Sequence, residues 1–268
     1  MGPPIDAMLP ELDVVHVAGL ATPPTKRVPL IVSVDDLRPL RGESRTHLRL
    51  AQLRRVVERG AIIVASSCSA SHEVQSVLGV PRSQVVVVPP AVPNVEPTRG
   101  GTDLVVNVTG LAELFLLVAP ALVLFARSRS TRVVALTSHE VGQQIHAAGM
   151  AVTVQPRHEA RRALANARVV MHLSDGARFP SFAIAALSAG VPTIARSTEI
   201  NRELLGGAAQ LVGTYAEVPE TLDELWESES RRAIMIAAGR SRAVDFAPST
   251  AARAYASLYR EAVRGWTP

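Results

Sequence analysis

SSCSASHEVQSVLGVPRSQVVVVPPAVP, residues 66–93, is the stretch that decides the fold. Residues 69–78 carry a helical pattern, and the four valines at 85–88 form an apolar run that stops at Pro89-Pro90. Immediately upstream, residues 61–66 form a second run rich in Val and Ile. Strand, helix and strand in that order predict a parallel pair joined by a crossover helix. The alternation extends outward in both directions. Upstream, 12–20 and 29–37 read as strands and 46–59 as a helix. Residues 91–101, with Pro93, Pro97, Gly100 and Gly101, read as a linker. Beyond it, strands are expected at 104–108, 132–137, 169–173 and 192–195, with an apolar stretch at 152–154. Helices are expected at 111–127, 140–148, 158–167, 181–189 and 199–205. Residues 219–265 read as helical throughout, Pro248 supplying a stop and Ser249-Thr250 the cap of the last helix. The pattern is that of the doubly wound α/β class, in two units of which the first is short and the second complete, with no repeat at fixed spacing.

Composition narrows the function classes. The 268 residues are 47% hydrophobic and 19% charged, enough apolar content for a sizeable core and too much for a disordered chain. One cysteine, Cys68, excludes an internal disulfide framework and a Cys-rich zinc site, and its Ser and Ala neighbours mark it as a packing residue. Aromatic residues make up 4%, which argues against base stacking, so nucleic acid is not an expected partner. The net charge of +4 favours anionic partners without choosing among them. No signal peptide is apparent at the start, and the longest apolar run, 114–126, is interrupted by Pro120 and shorter than the roughly 20 residues a membrane span needs. The expectation is a cytoplasmic protein. His139 and His146 lack a third ligand and read as surface residues, so no metal site is expected. No Walker A, GxGxxG or GxSxG sequence occurs.

Six segments, in order, resemble glycosyltransferases of family 4, whose GT-B fold has two Rossmann-like parallel-sheet domains, and a bacterial source is expected. Asp13-Val14-Val15-His16 resembles that family's D-V-V-H strand, and PLIVSVDDL (29–37) its P-x-V-x-T-x-H-D-L. Residues 66–93 resemble the segment that closes the family's first domain. LSDGARFPSFAIAALSAGVPTIA (173–195) resembles its donor-site region, ELLGGAAQLV (203–212) continues that region, and 246–260 resembles the helix that returns to the first domain. The resemblance implies a shortened N-terminal, acceptor-side domain over 1–93, a linker at 94–101, a donor-side domain over 102–247 and a returning helix at 248–268. The family's glycine-rich acceptor loop and the strands before D-V-V-H have no counterpart, so the first domain is expected to be truncated.

The departures are chemical. The family's two donor-site glutamates, which accept from sugar and ribose hydroxyls, fall on Ala177 and Ala185. Its diphosphate-binding arginine and lysine fall on Gly110 and Phe115, and the histidine of H-D-L on Asp35. Each charge-assisted bond to a diphosphate contributes roughly 1.5–3 kcal/mol, so four losses remove about 6 kcal/mol, or about four decades of affinity. Arg178 and the helix N-terminus near Ser181 and Phe182 offer replacement phosphate contacts, leaving Gly110, Arg178, Ser181, Phe182 and Glu203 as the donor-binding set. Glu203 reads equally well as a surface residue. Asp35 and His16 are the catalytic candidates, and with Asp36 they have an alternative reading as strand-end residues that cap turns. Arg45, Arg49, Arg55 and Arg59 share a helical face, which suits a phosphorylated acceptor, an acidic membrane surface or simply solvent.

Two functions are consistent with these features. One is a glycosyltransferase-like pseudoenzyme with a degenerate nucleotide-sugar site, acting as a binding or accessory subunit. Its partner would be another protein or a second copy of itself that completes the short first domain. The other is an active, metal-independent retaining hexosyltransferase acting on a nucleotide-sugar. No cofactor is expected beyond that ligand, and peripheral membrane contact accompanies either.

Overall fold

A computed structural model describes residues 3–19, 21–34, 44–96, 100–109, 112–174 and 178–266, with side chains in the second helix from Leu50 onward. The first elements are α1 (Ile5–Met8), β1 (Val15–Ala18), β2 (Leu30–Val34), α2 (Ser44–Glu58), β3 (Ile62–Ala65), α3 (Cys68–Leu78) and β4 (Val85–Val87). Then follow β5 (Asp103–Thr109), α4 (Ala112–Arg129), β6 (Val133–Thr137), α5 (His139–Ala147), β7 (Thr153–Pro156), α6 (Ala160–Asn166) and β8 (Ala167–Ser174). The last are α7 (Ser181–Ala189), β9 (Thr193–Arg196), α8 (Glu199–Leu205), β10 (Gln210–Val212), α9 (Val218–Glu227), α10 (Glu229–Ala243) and α11 (Pro248–Gly265). Contacts group the chain into two compact units, residues 1–91 with 248–268, and residues 92–247.

The first unit holds a parallel sheet in the order β1-β2-β3-β4. Its strands alternate strictly between two faces, as period-2 geometry requires. Leu30, Val32 and Val34 of β2, with Ile63 and Ala65 of β3, meet Leu53 and Val57 of α2 and Val74 and Leu78 of α3. The alternate positions, Ile31 and Val64, join Val88 against Leu258 and Ala262 of α11. A sheet whose strands add consecutively with right-handed crossovers places those helices on one face. The other face of this sheet is covered by the final helix. Locally, α3 begins where the Ser67 hydroxyl accepts from the Ala70 N–H at 3.0 Å. It ends at Gly79, whose φ of 70° is left-handed backbone that favours glycine. Near the start of the chain, buried Asp6 accepts backbone N–H bonds from Lys26, Arg27 and Val28. The Arg27 bond is the main cause that holds its carboxyl below the usual range. Cys68, expected to pack, is instead exposed in the first turn of α3.

The second unit is a six-stranded parallel sheet in the order β10-β9-β8-β5-β6-β7. Strands added after β5 run first to one side (β6, β7) and then to the other (β8, β9, β10), so the order reverses between β5 and β8. That is a doubly wound α/β sheet with its switch point at those two strands. Leu104, Val106 and Val108 of β5 and Val169, Met171 and Leu173 of β8 face a core with Phe115, Leu122 and Leu222. Val105 and Val170 face the opposite way, onto Leu164 of α6 and Ala186 of α7. Ala167, expected to end a helix, opens β8 because it pairs with Asp103. β10, which carries too few residues for a periodic signal, adds to the edge beside β9. Among the described residues, no helix is long and apolar enough to cross a membrane.

Candidate functional site

On the α6/α7 side of the second sheet, the two central strands change character toward their C-terminal ends. Val105 is followed on that face by Asn107 and Thr109, and Val170 by His172 and Ser174. These positions lie opposite one another in the β5–β8 register. Asn107 and His172 are 3% and 2% exposed, and the Asn107 amide donates to His172 Nδ1 at 3.0 Å. That bond leaves the proton of a neutral ring on Nε2. Thr109 Oγ1 donates to the Leu173 carbonyl at 3.1 Å, tying the two strand ends together.

Above these residues lies a cleft of about 420 Å³, at the carboxyl ends of the strands and at the switch point of the sheet. Open α/β sheets bind ligands in that place, because the crossovers diverge there and leave a crevice. Leu136, Ala160, Phe179 and Phe182 supply its apolar walls, and Val92 and Pro93 an edge. Two cations reach it. Arg157 follows β7, with its Nη2 directed to the Val108 carbonyl at 3.5 Å, and exposed Arg178 precedes α7. Helix α7 begins at Ser181, and among the described residues its N-cap, Pro180, makes no side-chain cap. Its first-turn N–H groups and the positive end of its dipole therefore favour an anion. Ala185, one turn into α7, presents a methyl group to the same space.

Three residues singled out from sequence, Arg178, Ser181 and Phe182, thus line one cleft. Glu203 lies outside its lining; it sits on α8, where its carbonyl accepts from Arg242 Nη2 at 2.8 Å. Phe115, the position at which the resemblance puts a lysine, is wholly buried in the core on the other face of the sheet. Gly110, Asp35, Asp36 and Ala177 lie outside the described residues, as do the side chains of Arg45 and Arg49. Arg55 is exposed on α2, and Arg59, placed on the same helix by the sequence pattern, is exposed in the turn after its end. Sequence reading did not single out Arg157, Asn107, Thr109, His172 or Ser174. A signal was available in the strands, since Asn107 and His172 interrupt runs that are otherwise apolar on both faces.

His16 belongs to the first unit and takes part in a different cluster. Its Nδ1 is 2.7 Å from the Tyr259 hydroxyl and its Nε2 is 2.8 Å from Ser33 Oγ. Its ring lies 5.3 Å from that of Tyr255 and 5.7 Å from that of Tyr259. Burial pushes its pKa below the ordinary value. Exposed His139 and His146 lie on α5, and among the described residues no group of three or more His, Cys, Asp or Glu could hold a metal ion.

Solved structures match more than nine-tenths of the chain, so that both units are covered. The fold is that of the GT-B glycosyltransferases. HepE from Anabaena, solved in complex with UDP and glucose, has a TM-score of 0.75 to this chain at 15% identity, covering 96% of this chain and 80% of that one. A glycosyltransferase from Rickettsia africae gives 0.72 at 12% identity, over 98% and 79%. The GtfA/B complex gives 0.64 at 12% identity, over 88% of this chain and 53% of that one. No family model matches the chain, and no curated protein matches it in sequence.

Proposed function

We propose that the 92–247 unit binds a nucleoside diphosphate or nucleotide-sugar in the switch-point cleft and that the protein acts without turnover, as a glycosyltransferase-like accessory subunit. The observation that carries this reading is Ala185. It lines a cleft whose remaining features suit a diphosphate, yet it brings a methyl group to the position where the resemblance calls for a carboxylate. Arg157, Arg178 and the uncapped end of α7 supply positive charge for phosphate oxygens. The ribose and sugar hydroxyls, by contrast, meet alanine in place of an acceptor at 185. Binding would therefore depend on the diphosphate and discriminate poorly among bases and sugars. The GtfA/B match is to a complex, which is in keeping with an accessory role for this chain.

The active alternative, a metal-independent retaining transferase, is favoured by one observation. Arg157 and Arg178 provide two cations although positions 110 and 115 provide none, so the charge a leaving diphosphate needs has been regained from other elements. Calorimetric titration with UDP, GDP, ADP and UDP-glucose, paired with an assay for release of UDP from UDP-glucose, separates the readings. The accessory reading expects submillimolar binding of all three diphosphates within about tenfold of one another and no UDP release above background. Measurable turnover would establish the active alternative. Absence of binding would remove both.

A further inference from the structure

The outward face of α4 carries a pattern that the cleft does not use. Phe115, Val118, Ala119, Leu122 and Phe125 turn inward to the core of the second unit. On the opposite side Glu113, Leu117, Pro120, Leu124 and Arg127 are all exposed, the two leucines 67% and 71%. Their spacing alternates four and three residues, the repeat that keeps one seam of a helix turned toward a neighbouring helix. A seam of leucines left in water at this spacing is an unusual use of a surface helix, whose outer face is ordinarily polar. Half-buried Leu114, Leu116, Ala121 and Val123 extend the apolar strip on either side.

The ends of the seam say what covers it. Glu113 stands at its start and Arg127 near its end, and Pro120 lies midway between them. Among the described residues neither Glu113 nor Arg127 has an ion-pair partner, whereas nearby Arg129 pairs with Asp223 at 2.9 Å and also with Glu227. A second copy of α4 laid antiparallel about a two-fold axis at Pro120 brings each Glu113 to the other copy's Arg127. It brings each Leu117 to the other copy's Leu124. A parallel arrangement would instead set Glu113 on Glu113 and Arg127 on Arg127, which repel. The antiparallel arrangement also opposes the two helix dipoles favourably. The surface is thus self-complementary, as an isologous contact must be. Pro120 and Ala121 carry short side chains at the crossing and allow the axes to approach closely.

We infer that α4 is a homodimerisation helix, pairing antiparallel with α4 of a second copy through Leu117 and Leu124 and through reciprocal Glu113–Arg127 ion pairs. One helix pair about 27 Å long lies at the low end of specific interface sizes, so the dimer should dissociate on dilution in the micromolar range. Sedimentation equilibrium of the full chain over about two decades of concentration tests this. The chain should be dimeric at the top of that range. Glu113→Arg and Arg127→Glu should each raise the dissociation constant about tenfold or more, since each places like charges at both ends. An equimolar mixture of those two variants should recover the dimer, as should the double variant E113R/R127E. Leu117→Asp/Leu124→Asp should be monomeric with an unchanged circular dichroism spectrum, because both sites are exposed, and its melting temperature should match that of the wild-type chain diluted to the monomer. A wild-type chain that stays monomeric, or a dimer indifferent to the charge swaps, overturns the inference. So does a monomer that co-sediments with phosphatidylcholine vesicles through the same leucines, which would make the seam a lipid contact.

Discussion

On the proposed reading of the cleft, Ala185 and the two arginines would divide the work of a nucleotide site. Guanidinium groups and first-turn N–H groups attract phosphate whatever is attached to it, while a carboxylate selects for hydroxyls. Replacing Arg157 or Arg178 with Ala should therefore weaken UDP and inorganic diphosphate equally, each by about tenfold to a hundredfold, as read by calorimetry. Ala185→Glu should have the opposite signature. It adds an acceptor for ribose and a charge that repels phosphate, so the ratio of UDP to inorganic diphosphate affinity should rise about tenfold even if neither affinity does. An unchanged ratio would show that position 185 does not face the ribose. Of the residues that line the cleft, sequence alone singled out Arg178, Ser181 and Phe182, because they stand together in one segment. It did not reach Arg157, Asn107 or His172, which come from three elements well separated in sequence and are gathered only by the pairing of β5 with β8 and the turn after β7. Conversely, the buried setting of Phe115 is a matter of which way α4 faces, and nothing in the local spelling of that helix states it.

At the scale of elements, α11 is held to the first sheet by apolar packing and by one polar clasp. His16 and Ser33 project from the face that the helix covers, and Tyr259 reaches down to the imidazole. Among the described residues the groups facing the ring are the Ser33 hydroxyl and the rings of Tyr255 and Tyr259, with no carboxylate to stabilise an imidazolium. Because burial lowers the folded-state pKa of His16, the unfolded chain takes up the proton more readily. The stability this site contributes is complete above the unfolded value near 6.5 and is lost as pH falls below it. The protection factors of the α11 amides, which correct for the slowing of intrinsic exchange at lower pH, should accordingly fall between pH 7 and pH 5, and His16→Gln should flatten that dependence. The alternation of strands and helices was legible from the sequence because buried parallel strands are written as runs of Val and Ile. The elements that escaped were short. α1 and β10 span too few residues for a period to register, and the first residue of β8 is decided by its neighbour Asp103, not by its own preference.

At the scale of the whole molecule, each unit has its own core, and the first depends on residues from both ends of the chain. Removing residues 248–268 should uncover Ile31, Val64 and Val88 and destabilise β1–β4, while the six-stranded sheet keeps its protection. Limited proteolysis followed by mass spectrometry of the fragments would read this directly, and equal loss from both units would count against their independence. The discontinuity has a consequence for biosynthesis. A ribosome delivers the whole of 92–247 before it releases the helix that the opening segment needs, so the inserted unit can finish first although its code comes second. Until residues 248–268 emerge, β1–β4 wait with one greasy side open, which is when a chaperone or a neighbouring nascent chain would find them.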